Sequence, residues 1–153
     1  MKKATLLAMM CLMALTMNAQ KCVVLDFQLG TNVTSEETDA ISYNFRTNFY
    51  PENYNVLEIE RVNKVIKDLG YEKTGMTKQQ LLQVGRKLEA KIMVVGTLNK
   101  LMDEYSVDVQ VLDVSTGTTV ASEGNTFQKS DYRREIKYIA QTLVHKIEYR
   151  FKQ

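Results

Sequence analysis

One stretch constrains this chain more than any other: EYSVDVQVLDVSTGTTVAS, residues 104–122. Tyr105, Val107, Val109 and Val111 alternate with Ser106, Asp108 and Gln110. A period of two sends one set to a dry face and the other to a wet face, so this is a strand of a sheet covered on one side here. The alternation slips at Leu112, which predicts a bulge or strong twist. Then Asp113, Ser115, Thr116 and Gly117 crowd together like the groups of an active centre. The residues after them decide against one. A phosphate loop needs more glycines and a following helix, but TTVASEGNTF reads as another strand. The cluster is therefore expected to be a hairpin turn. Gly117 takes a positive φ, and Asp113 or Ser115 bonds the turn amides.

The strand before it has another character. KIMVVGTL, residues 91–98, is uncharged from Ile92 to Gly96, as befits a central strand covered on both faces. Upstream, CVVLDF (22–27) and YNVLEI (54–59) read as strands and QLGTNVT as a loop. A helix is expected from Ser35, acting as its cap, with Glu36 and Glu37 in the first turn, where acidic groups meet the positive end of the dipole. Ile41, Phe45 and Phe49 share its inner face, and Pro51 is expected to stop it. ERVNKVIKDLG is a second helix, which Gly70 ends. Thr77 and Gln80 form a capping box for a third, with Leu81, Val84, Gly85 and Leu88 on one stripe. A small residue at Gly85 lets that helix approach the sheet. The last helix, opened by Ser130 and Glu135, carries Ile136, Ile139, Ala140, Leu143 and Ile147 inward. The order is β-α-β-α-α-β-β-β-α: a single α/β (α+β) domain with helices packed on one mixed sheet.

Residues 1–19 stand apart. A basic start (Lys2, Lys3), an apolar run from Ala4 to Leu15 and a small residue at the exit are the parts of a secretory signal peptide, with cleavage expected after Ala19. The run is shorter than the roughly 20 residues a membrane helix needs, and no later segment is long and apolar enough. Residues 20–153 are then the mature domain, placed in the periplasm. A lipid anchor is not expected: Cys22 follows lysine, and Cys11 lies too early. With 20 basic and 18 acidic residues in the whole chain, losing Lys2 and Lys3 leaves a net charge of zero. That is no footprint for nucleic acid, which needs a basic face. The stretch from Lys129 to Gln153 is locally basic, with seven basic residues to three acidic, and is expected to be a solvated helix face. Cys22 lacks an internal disulfide partner and is expected to be buried, or else to pair with another chain.

The residues offer little chemistry. A metal site needs several His, Cys or carboxylate ligands, and residues 20–153 hold one histidine, His145, and one cysteine. His145 reads as a helix-surface residue, and Asp103 and Glu104 as loop carboxylates that need not be buried, whereas acid catalysis asks for burial or a like charge held close. No catalytic residue, metal or cofactor is expected. Asp26 ends the first strand, where ligands of α/β sheets often bind, although an aspartate there commonly bonds nearby amides. Arg61, at an electrostatically unhelpful helix start, calls for a partner: Asp26, Glu58 or another protein. Interfaces favour aromatic and arginine residues, which singles out Tyr43, Tyr50, Tyr54 and Tyr105 and the basic face of the last helix, including Arg133 and Arg134.

The strings VVLDF, VLEIERVNKVIKDLG, GRKLEAKIMVVGTL and VQVLDVSTGTTVAS together resemble the CsgG / TolB N-terminal / LpoB group of bacterial envelope domains, over Cys22 to about Phe151. The resemblance implies a non-enzymatic domain that binds partner proteins. CsgG proteins form the curli secretion pore, and LpoB-like proteins activate peptidoglycan synthases. The connections around NKLMDEY and STG are too short for the inserted hairpins of the pore-forming branch. The expected function is protein–protein interaction in envelope assembly or secretion, with an envelope protein or a second copy as partner. The alternative is a small-ligand domain with its pocket at Asp26 to Thr34.

Overall fold

The computed structural model describes residues 19–151; the expected signal peptide and Cys11 lie outside them. The strands are β1 (Gln20–Val24), β2 (Gln28–Leu29), β3 (Tyr54–Val56), β4 (Ile92–Leu101), β5 (Glu104–Asp113) and β6 (Thr119–Gln128). The helices are α1 (Ser35–Arg46), α2 (Ile59–Asp68), α3 (Lys78–Lys87) and α4 (Tyr132–Phe151). The strands form one mixed sheet in the order β3-β1-β4-β5-β6, with β2 also beside β4. β1 runs parallel to both β3 and β4, and β4, β5 and β6 form an antiparallel meander. This is the expected class, with β2 added where a loop was anticipated. Two residues give no periodicity to read. They form a strand because Gln28 and Leu29 lie in register with Thr97 and Leu98.

The apolar patterns sort the helices onto two faces. Ile41 and Phe45 of α1, Phe49 after it, and Ile136, Ile139, Leu143 and Ile147 of α4 pack on Ile92, Val94, Val107, Val109 and Val111. Val62 and Ile66 of α2 and Leu81 and Val84 of α3 pack on Val23 and Met93 on the other side. β4 is thus covered on both faces, as its uncharged run requires. β5 has one dry face, with Ser106 half-buried and Asp108 and Gln110 exposed on the other. Its register shifts between Val111 and Leu112, the expected bulge. Gly85 is where α3 nears the sheet: a Cβ there would lie 2.9 Å from Val114 Cγ2. Cys22 is fully buried in β1, and burial pushes its thiol pKa up.

Several boundaries differ from expectation for local reasons. The cap of α1 is Thr34, not Ser35. Its side chain accepts from Glu37 N, and the Glu37 carboxylate accepts from Thr34 N, closing a capping box like that of Thr77 and Gln80. α1 ends at Arg46, before Pro51: Thr47 Oγ1 and Asn48 Nδ2 both donate to the Asn44 carbonyl, at 3.0 and 2.8 Å, and turn the chain out. β3 stops at Val56 and Ile59 begins α2. A 3-10 turn over Lys129–Asp131 precedes α4.

Candidate partner-binding surface

The β5–β6 turn is structural. Asp113 Oδ1 accepts from Ser115 N at 2.9 Å, Thr116 N at 3.1 Å and Ser115 Oγ at 2.5 Å. Asp113 Oδ2 meets Lys91 Nζ at 2.8 Å. These donors, Lys91 first and Ser115 next, hold the Asp113 carboxyl well below the usual carboxylate range. Gly117 sits at φ +71°. The acceptors of Asp113 are spent on the turn and on Lys91.

The opposite end of the meander differs. There the β4–β5 hairpin, the start of α1 and the start of α4 converge. Glu37 Oε1 accepts from Tyr105 Oη at 2.5 Å and from Lys100 Nζ at 3.0 Å, and Oε2 accepts from Thr34 N at 3.1 Å. Tyr105 first, then Thr34 and Lys100, bring the Glu37 pKa down to about 2. Burial, and then the bond to Glu37, push the Tyr105 phenol up to about 12. One glutamate thus caps α1 and ties it to both strands of the hairpin. Beside it lies a hollow of 230 Å³ walled by Ala40, Ile41, Tyr105 and Tyr132, with Glu36, Glu37 and Lys129 at its lip. The hairpin tip is near it, since Lys129 N donates to the Asp103 carbonyl at 3.3 Å, and is exposed: Leu101 by 72% and Met102 by 86%.

The expected contact residues divide among several places. Tyr105 is core except where its ring walls the hollow. Arg133 lies at the same end, its Nε 3.1 Å from Tyr132 Oη. Arg134 is exposed and pairs with Asp131 and Glu135. Tyr43 stands on the outer face of α1, 66% exposed. Tyr50 is exposed, and half-buried Tyr54 packs against Phe151. Asp26 lies elsewhere and bonds side chains rather than loop amides: Arg46 Nη1 at 2.5 Å and Lys73 Nζ at 3.5 Å. Arg61 is exposed and has no side-chain hydrogen bond or ion pair among the described residues. Its charge reinforces Lys21 in lowering the Glu89 pKa, and neither Asp26 nor Glu58 is its partner. His145 is exposed on α4, whereas Cys22 is buried in the sheet. No group of three or more His, Cys, Asp or Glu among the described residues could hold a metal ion, and no described helix is long and apolar enough to cross a membrane.

Glu37, Lys100, Leu101, Met102 and Tyr132 were not anticipated as a site. The Thr34–Glu37 capping-box spacing was a readable signal for Glu37. Two ten-residue strands separated by two residues were one for the exposed tip.

No curated protein sequence matches this chain. Among solved structures, the C-terminal domain of LpoB from Salmonella enterica superposes with a TM-score of 0.54 at 13% identity, over 80% of this chain and 92% of that one. Lipoprotein GNA1162 from Neisseria meningitidis gives 0.54 at 10% identity, over 71% and 80%. TolB from Acinetobacter baumannii gives 0.56 at 13% identity, over 85% of this chain but only 28% of TolB. At such identities the likeness is one of fold, the LpoB/TolB-type envelope fold, and curli secretion gains no support from it. The model of the family described as FlgO protein matches residues 17–132, well over half of the 153 residues, and the chain belongs to the FlgO family.

Proposed function

We propose that this FlgO-family chain is a secreted, periplasmic, non-catalytic domain that acts in the cell envelope by binding another protein through the hairpin end of its sheet. The observation that carries this reading is the combination there of exposed Leu101 and Met102 with an apolar hollow and the cations Lys129 and Arg133. Apolar groups rimmed by charge mark contact surfaces. A catalytic role gains no support: Cys22 is in the core, whereas His145, the one histidine, is exposed on α4. The small-ligand alternative at Asp26 is weakened by the two cations that already occupy its carboxylate.

The placement outside the cytoplasm rests on residues 1–19. Burial of Cys22 agrees with an unlipidated thiol, because a diacylglyceryl group on that sulfur would have to sit inside the sheet core. Mass spectrometry of protein purified from its host is expected to find a chain that begins at Gln20 and carries no lipid. A lipid adduct on Cys22 would overturn the localisation. The contact reading is tested by photo-crosslinking in the host from position 102 or 132, compared with position 64 on the exposed side of α2. Protein adducts confined to the hairpin end are expected, and adducts at position 64 alone would refute it.

A further inference from the structure

Strand β1 begins at the residue where the mature chain is expected to begin. Gln20 is the first residue of β1 and lies opposite Tyr54 of β3, and its N–H donates to the Asn53 carbonyl at 3.0 Å. Two positions on, Cys22 is fully buried in the core. Cleavage after Ala19 therefore leaves no spare tail. Trimming Gln20 loses the bond to Asn53, and trimming as far as Cys22 removes a core side chain. The side chain of Gln20 is not engaged in the way its backbone is. It is exposed, and its carboxamide bonds to no described residue.

We propose that Gln20 of the cleaved chain is converted to pyroglutamate, so that the domain starts with a neutral five-membered lactam. The inference rests on cleavage after Ala19, as read above. The step is an acyl transfer. Hydrolysis of the Ala19–Gln20 bond frees the α-amino group, which in its neutral form attacks the side-chain carboxamide carbon, Cδ. The N–Cδ bond forms and the Cδ–Nε2 bond breaks. Nε2 leaves as ammonia with the proton that the α-nitrogen gives up, and nothing is oxidised or reduced. Nucleophile and leaving amide belong to one residue, so the reaction is intramolecular and needs no second reactant in place. An α-amino group ionises near pH 8, about, so part of it is neutral at neutral pH. The exposure of Gln20 also opens it to an acyl-transfer enzyme. The lactam leaves no α-amine for an aminopeptidase to grip. It closes the end of a chain that has no residue to lose, because its sheet starts with the first one.

The test is the mass of the chain purified freshly from its host, denatured and cut by a protease that cleaves before Asp26. The peptide of residues 20–25 is expected about 17 Da lighter than its unmodified form, and resistant to aminopeptidase until a pyroglutamyl peptidase removes its first residue. Gln20→Asn is the control. Its side chain is one carbon short, so the ring would have only four members, and its terminus should stay open, at full mass and sensitive to aminopeptidase. A free amine on Gln20 in the fresh protein overturns the modification and leaves secretion standing. A chain that starts at Ala19 or Lys21 overturns it too, since neither residue can form the lactam. A chain that keeps residues 1–19 overturns both the modification and the cleavage it rests on.

Discussion

The two turns of the β4–β5–β6 meander solve the same geometric problem in opposite ways. At one end Gly117 takes the positive φ, and Asp113 satisfies two turn amides, a hydroxyl and a lysine. At the other end Met102 takes the positive φ and its side chain stands in solvent. The β5–β6 turn has the residue types of a chemical site and is structural, because each polar group of Asp113 has a partner inside the chain. The β4–β5 turn has only Asp103 of those residue types, yet its exposed methionine at positive φ has no reason within the chain. Unspent interactions are a better guide to function than a crowd of reactive residue types.

The largest expected effect is at the satisfied turn. Asp113→Ala strips the acceptor from the Ser115 and Thr116 amides and leaves Lys91 unpaired, so it should lower unfolding free energy by about 2–4 kcal/mol. Ser115→Ala leaves the carboxylate in place and should cost about 0.5–1 kcal/mol, with partner binding unchanged. Urea midpoints of the two variants check the ratio. Equal losses would mean that the turn is not organised around Asp113.

How much of this was legible follows from range. The alternation in β5, the bulge at Leu112, the buried run in β4 and the capping box at Thr77 are local patterns, and each appears where the residues placed it. The Asp113 turn was readable because its turn donors, Ser115 and Thr116, lie within three residues; its distant donor, Lys91, was not. The Glu37 cluster was not, since Glu37, Lys100 and Tyr105 meet only when α1 folds over the hairpin. Asp26 was misjudged for the same reason: Arg46 and Lys73, distant in sequence, reach its carboxylate before the nearby amides do. β2 exists only through its register with β4.

A middle-sized effect tests whether Glu37 ties the hairpin end together. Its folded pKa of about 2 lies below the roughly 4.3 of an unfolded glutamate. A depressed carboxylate pKa contributes stability that is fully present above the unfolded value and is lost as pH falls through the folded one. Glu37→Gln should therefore cost about 2–3 kcal/mol at pH 7, with the gap to the parent chain closing between about pH 4.5 and 2. Unfolding free energies across that range decide it. A gap that stays constant would show that the loss is one of packing rather than charge.

The smallest effect carries the comparison furthest, because it concerns a sign. Gly117→Ala puts a Cβ at φ +71° and 2.9 Å from Leu82 Cδ1, and should destabilise by about 1–2 kcal/mol. Met102→Gly runs the other way. It relieves a left-handed conformation worth about 1–2 kcal/mol and adds about 0.5–1 kcal/mol of chain entropy cost, so the isolated chain should gain from zero to about 1 kcal/mol. The measurement is a denaturant midpoint at a concentration low enough to keep the chain monomeric. A gain, however slight, means that the methionine is held against the preference of its own backbone, and its reason lies outside the monomer. A loss would mean that the side chain packs on its own hairpin after all, and the contrast between the two turns would reduce to one of residue choice.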